Sequence, residues 1–302
     1  MKRKIVIAIA CAALAVIFVV DSAGISRAVF ESITLCLNTV IPSLFAFLVL
    51  ATFAMSSGLI RGEKSILLLS IVGGYPVGAK LLADRGFSQK KAAHMMMYCY
   101  CGSPVFLIAL HPLGFYIWLS NAIACVVFAV FAARNNHTAL QNNGAANTPH
   151  PTFVDSVTSA GKTMLQICAM VISFGVIIRV TEFLGVTSGV IFATLEITNI
   201  MSLQVNPALI AALTSIGGIC IIFQIRAIVG GKFPLRKFLL ARLPIAGLSS
   251  GICYLMTRSM AVETIARDHV VLVSAGGSVV ASACLVVMTL LLLSSARSRT
   301  KT

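Results

Sequence analysis

The sequence predicts an all-α, polytopic membrane protein. Three observations carry that expectation. Hydrophobic residues make up 58% of the 302-residue chain and charged ones 11%, against about 25% charged in ordinary soluble domains. Apolar runs long enough to cross the hydrocarbon layer, roughly 17–25 residues, recur along the whole length. Lys and Arg number 23 against 9 Asp and Glu, and they gather between those runs, as the positive-inside rule describes for cytoplasmic loops. In a soluble chain the +14 balance would suggest nucleic acid. Here no basic patch interleaved with aromatics and no zinc-finger spacing supports that partner; the lipid bilayer is the partner the composition names.

The elements follow in order. MKRK precedes an apolar stretch from Ile5 to Val20, and the DSAGISRA after it offers no small-x-small cleavage site. Residues 1–29 are therefore expected to hold a first transmembrane helix. Further spans are predicted near 33–60, 92–110, 113–133, 160–183, 206–225, 240–257 and 270–294. Two more apolar runs, 65–83 and 186–203, are interrupted by GGYPVGAK and by LEITNIMS. If both dip in and return to the same side, about eight helices cross and both termini are cytoplasmic. Of the basic residues, only Arg27, Arg258 and Arg267 then fall outside, with Arg179 inside a span. Letting 65–83 cross would carry Arg85, Lys90 and Lys91 to the outer face, so the charges favour two re-entrant segments.

That topology exposes a repeat. Residues 30–133 run span, broken segment, span, span, and residues 157–258 run the same order. Three crossings per unit turn the second copy over, so the expectation is an inverted repeat, matched in hydropathy and break position rather than identity. Residues 134–156, polar and rich in Asn, Pro and Gly, read as a cytoplasmic linker, and 259–302 as a last helix with a basic tail. Paired breaks in two inverted halves are the sequence pointer to a secondary-transporter site at the bilayer midplane.

The breaks supply the candidate substrate-binding residues. Gly73, Gly74, Tyr75 and Pro76 free backbone groups that lipid tolerates only inside protein or beside water. A helix restarting there aims its N–H groups and the positive end of its dipole at an anion, and Lys80 would add a full charge. The plain alternative is a surface loop with Lys80 snorkelling to the cytoplasm. Ser103 and Pro104 suit a second helix start, as cap and first residue. In the second half Glu196, Thr198 and Asn199 place polar groups in an apolar run, and an ionisable group at membrane depth is a functional-site hypothesis. Glu196 could take a proton, hold a cation, or pair with Lys80 or Arg179. Gly217 and Gly218 make a further break, mirroring the one at Ser103, with Gln224 behind it. Arg179 and Glu182, three apart on one helical face, can simply pair with each other.

Other chemistries find no support. The chain has nine cysteines, mostly in apolar runs, where free thiols pack as small hydrophobes. Cys99-Tyr-Cys101 lacks metal spacing and has no second pair. HExxH, GxSxG and P-loop motifs are missing, so no enzyme and no cofactor is expected; a coupling ion, Na+ or a proton, stays open, as does a homo-oligomer.

NTVIPSLFAF (38–47), GGYPVGAKL (73–81), GSPVF (102–106), LEITN (195–199), GGICIIFQ (217–224) and FLLARL (238–243) resemble the YlbJ-type sporulation integral membrane proteins. These belong to the nucleoside-recognition or Gate-domain group, related to concentrative nucleoside transporters. The resemblance implies a role in endospore formation: passage of dipicolinic acid from the mother cell across the outer forespore membrane. Dipicolinate is a planar aromatic dianion, in keeping with an anion site beside Lys80. Two other readings stand beside it, a non-transporting sporulation scaffold or gate, and a nucleoside transporter.

Overall fold

The computed structural model describes residues 2–60, 62–135, 152–203 and 205–258. Most of the predicted linker and the predicted last span, 270–294, lie outside these residues. Among the described residues all regular structure is helical, and six helices are long and apolar enough to cross a membrane. The protein is a multi-pass membrane protein.

Helix α1 (Lys2–Val20) turns at Asp21 into a single rod of α2 (Ser22–Leu35), a π-helical turn (Cys36–Val40) and α3 (Ile41–Ser56). The rod holds 35 residues, about 52 Å at 1.5 Å per residue. It starts well before residue 30, so the predicted boundary between a leading helix and a first repeat falls inside a helix. Pro42 accounts for the π-helical turn. Its missing N–H and its ring disrupt the bond to the carbonyl four residues back, and the turn widens so that the Ile41 N–H reaches the Cys36 carbonyl.

The segment after α3 folds back on itself. Helix α4 (Glu63–Gly73) ends at Gly74, and α5 (Tyr75–Asp84) restarts there with Pro76 in its first turn. Gly74 has φ +93° and ψ 176°, a conformation open essentially to glycine alone. The returning helix crosses α4 so closely that a Cβ on Gly78 would lie 2.8 Å from the Ser70 Cβ. The Arg85 guanidinium then donates to the Ile60 carbonyl at 2.8 Å, which brings the end of the hairpin back to its beginning. GGYPVGAK is buried throughout; protein, not lipid, surrounds its freed backbone.

The run at 92–110 is not one continuous helix. It is built from two seven-residue helices, α6 (Gln89–Met95) and α7 (Pro104–Leu110), separated by an irregular stretch. Ser88 caps α6 and Ser103 caps α7, each hydroxyl accepting an N–H three residues on. Helix α8 (Gly114–Asn135) completes the first half.

The second half opens with α9 (Phe153–Phe183), 31 residues begun by a reciprocal Thr152–Asp155 capping box. A second hairpin follows: α10 (Gly189–Leu195), a tip at Glu196, and a 3-10 turn (Ile197–Ser202). Its return is close enough that a Cβ on Gly189 would meet Leu203 at 2.7 Å. Helices α11 (Pro207–Ile216) and α12 (Gly218–Val229) form one crossing broken at Gly217, where φ is +85°. Helix α13 (Arg236–Thr257) is the last described element.

Side-chain contacts fix which ends lie together. At one end Phe53 meets Phe153 (ring centroids 5.6 Å apart) and Lys232 donates to the Ala83 carbonyl at 2.8 Å. At the other end Arg179 grips Asp21 through two bonds of 2.6 and 2.9 Å. Hairpin α4–α5 therefore enters from the first end and α10 follows α9 in from the second. Helix α3 packs antiparallel on α9, and α8 packs on α13. Small and hydroxylated residues permit these approaches, as is usual between helices in lipid. Gly175 of α9 lies directly against Ser32 of α2. Asn121 of α8 donates to Thr214 of α11 at 3.0 Å and accepts from Ser249 of α13 at 2.9 Å.

Candidate functional site

The two hairpin tips meet in the middle of the molecule, and each leans on a broken helix of its own half. A Cβ on Gly74 would touch the Ser103 backbone N at 3.3 Å, and one on Gly218 would touch the Ile197 N at 3.3 Å. Between them opens a small cavity of about 50 Å³, or about 480 Å³ when the open space at its mouth is counted. Its walls come in matching sets. Val40 of the π-helical turn and Ser43 and Leu44 at the start of α3 line it together with Ile167 and Val171 of α9. Gly74, Tyr75 and Pro76 at the first tip face Glu196, Ile197 and Thr198 at the second. Ser103 and Phe106 of α7 face Ile221 and Gln224 of α12.

Seven of the sequence candidates therefore line the cavity: Gly74, Tyr75, Pro76, Ser103, Glu196, Thr198 and Gln224. Others build it from behind. Gly73 closes α4 and Pro104 opens α7. The Asn199 amide donates to the Glu196 carbonyl at 3.1 Å and so shapes the second tip. Gly217 lies against the Tyr100 ring, whose hydroxyl donates to the Ile216 carbonyl at 3.1 Å. The Tyr75 hydroxyl donates to the Thr214 carbonyl at 2.6 Å, tying the first tip to the α11–α12 break of the other half.

Lys80 is the main departure from expectation. It is buried, but it does not line the cavity. Its ammonium sits 2.6 Å from the Asp84 carboxylate and donates to the Ser159 hydroxyl at 2.6 Å. Six residues along α5 separate it from the tip, about 9 Å of rise. It neither snorkels nor reaches Glu196. Arg179 likewise binds Asp21 and, at 3.4 Å, Glu182, so the expected Arg179–Glu182 pair exists as the weaker half of a triad.

Glu196 is 5% exposed. One carboxylate oxygen accepts the Thr198 N–H at 3.4 Å, and the other has no hydrogen-bond partner among the described residues. Among the described residues, no Lys, Arg or His lines the cavity around it. The α5 N-terminus opens on the cavity at Tyr75, where the peptide dipoles sum to roughly half a positive charge; α12 lines it with Ile221 and Gln224.

Sequence reasoning missed the residues from the long helices, Ser43, Leu44, Ile167 and Val171, whose apolar runs carry no local mark. It also counts Arg242 simply among the cytoplasmic-side charges. Arg242 is 2% exposed; its guanidinium donates to the carbonyls of Met97, Tyr100 and Ser215 and stacks 4.7 Å from the Tyr100 ring centroid. One cation thus satisfies carbonyls freed at the breaks of both halves.

No family model, no curated protein and no solved structure matches this chain.

Proposed function

We propose that the protein is a secondary transporter for a small organic anion, with the cavity between the hairpin tips as its substrate site. The observation that carries this reading is the convergence of two folded-back segments, entering from opposite ends, on one cavity. Irregular backbone at membrane depth belongs where it lines such a space, and an inverted pair of broken segments is the architecture of alternating access. The matched walls of the cavity support an inverted repeat, with α3, the α4–α5 hairpin, α6–α7 and α8 answering to α9, the α10 hairpin, α11–α12 and α13. If the sequence-predicted span at 270–294, outside the described residues, is added, eight crossings would put both termini in the cytoplasm.

Anion preference rests on the α5 N-terminus and on the hydroxyl and amide groups of Ser43, Ser103, Thr198 and Gln224, not on Lys80. The YlbJ-type resemblance makes dipicolinate, during endospore formation, the first candidate. Movement of one half against the other would expose the cavity to each side in turn. No enzymatic step is proposed.

Thermal unfolding of the purified protein with dipicolinate, nucleosides or other small carboxylates tests the reading. Dipicolinate at a hundredfold excess over its dissociation constant is expected to stabilise by about 2.7 kcal/mol. Stabilisation by nucleosides alone would replace the anion with a nucleoside, and no stabilisation by any of them would favour a non-transporting scaffold.

A further inference from the structure

We infer that Glu196 is the proton-binding group of this cavity, and that a proton is taken up there together with the anion. The anion part rests on the transporter reading above; the proton part rests on Glu196 itself. A carboxylate oxygen without a partner, on a side chain 5% exposed, is one of the costliest groups to leave charged in a protein interior. Pairing is the usual remedy, and the basic groups that would supply it are committed elsewhere: Lys80 to Asp84 and Ser159, Arg179 to Asp21, Arg242 to backbone carbonyls.

The titratable groups packed toward Glu196 are uncharged in their ordinary forms. The Cys220 thiol of α12 lies beside the carboxyl, with Gln224 donating to its sulfur at 3.3 Å. Cys36, in the π-helical turn, reaches toward the Cys168 carbonyl of α9. Tyr75, at the opposing tip, spends its hydroxyl on Thr214. None carries a positive charge that would hold Glu196 ionised.

An anion entering this cavity would meet an ionised Glu196 as a like charge in a space of low polarity. Uptake of one proton from water removes the conflict, carboxylate plus proton giving the neutral acid with no bond broken elsewhere. The new O–H then becomes a donor for the substrate, adding to the α5 N-terminus. Opening to the far side lets the anion leave, and the proton follows as Glu196 ionises in contact with water. The cycle moves anion and proton in the same direction.

The test is proton counting on the purified full-length protein. Dipicolinate binding is followed by titration calorimetry in buffers of different ionisation enthalpy, across a pH series that extends above the titration of Glu196 in the substrate-free protein, where dipicolinate also stays fully ionised. The expected result is uptake of about one proton per dipicolinate, with affinity falling about tenfold per pH unit above the titration of Glu196. Glu196→Gln is expected to bind with no proton uptake and with flat pH dependence. Binding by the unaltered protein without proton uptake overturns the inference and leaves the transporter reading standing, as does uptake driven by a sodium gradient alone. Should dipicolinate not bind at all, the substrate reading falls, and pH-difference infrared spectroscopy of the substrate-free protein decides Glu196. A protonated-carboxyl band lost in Glu196→Gln sustains the inference; its absence from the unaltered protein overturns it. Should Glu196→Gln fail to fold, Glu196→Asp is expected to shift that band, and an unmoved band overturns the inference.

Discussion

Lys80 has Asp84 one helical turn behind it, and that neighbour decides what the lysine does. Their i, i+4 spacing is readable in the sequence, and the structure closes the pair at 2.6 Å with Ser159 of α9 as a further acceptor. A lysine so held contributes to packing α5 against α9 rather than to binding. Lys80→Gln is accordingly expected to leave dipicolinate counterflow in proteoliposomes unchanged. The same change should lower stability in detergent by about 1–2 kcal/mol, because among the described residues Asp84 keeps only Lys232, at 3.5 Å, as an ionic partner. Loss of counterflow with unchanged stability would return Lys80 to the site. Arg242 shows the opposite limit of legibility. Nothing in FLLARL tells a buried arginine from a loop arginine, since its partners are carbonyls that lie about 30 and 140 residues away in the chain and come to it only through tertiary packing. Glu196 stood out from sequence because its charge breaks an apolar run, and that rarity is itself the physical signal.

Glycine and proline made the hairpins and the Gly217 break legible, because both residues interrupt the backbone wherever they fall. The element that misled was 92–110. Its irregular stretch, Met96 to Ser103, is as apolar as a helix, and hydropathy says nothing about backbone direction; only the Ser103-Pro104 cap marked the interruption. The long-helix contribution to the cavity was invisible for the same reason. The tight turn at Gly74 gives the hairpin a quantitative test. A Cβ there would force a glycine-only conformation, at about 1–3 kcal/mol, and would also crowd the Ser103 N and the Leu44 side chain, each 3.3 Å away. Gly86 is the internal comparison: its φ is also positive, +71°, but nothing lies within 4 Å of the added Cβ. Thermal unfolding should therefore show Gly74→Ala losing clearly more stability than Gly86→Ala. Equal losses would mean that the first tip is not packed against α7 as described.

At the scale of the whole molecule, the cavity is the meeting point of two folded-back segments that enter from opposite ends, and this gives the arrangement a sharp consequence for topology. The mouth of the first hairpin lies with Ile60, Arg85 and Lys232, among many basic residues, whereas the second hairpin begins beyond Arg179 and Asp21, where basic residues are few. If the halves are inverted across the bilayer, the two mouths open on opposite faces, and the positive-inside bias makes the first one cytoplasmic. Lys90 and Ser188 mark them, and both side chains are exposed. In a background lacking Cys11, the exposed cysteine among the described residues, and Cys284, Lys90→Cys should react with an impermeant maleimide only after the cells are permeabilised. Ser188→Cys should react in intact cells. Labelling of both positions from the same side would place both hairpins on one face, and a site reached alternately from two faces through two opposed hairpins could not then be built from this chain.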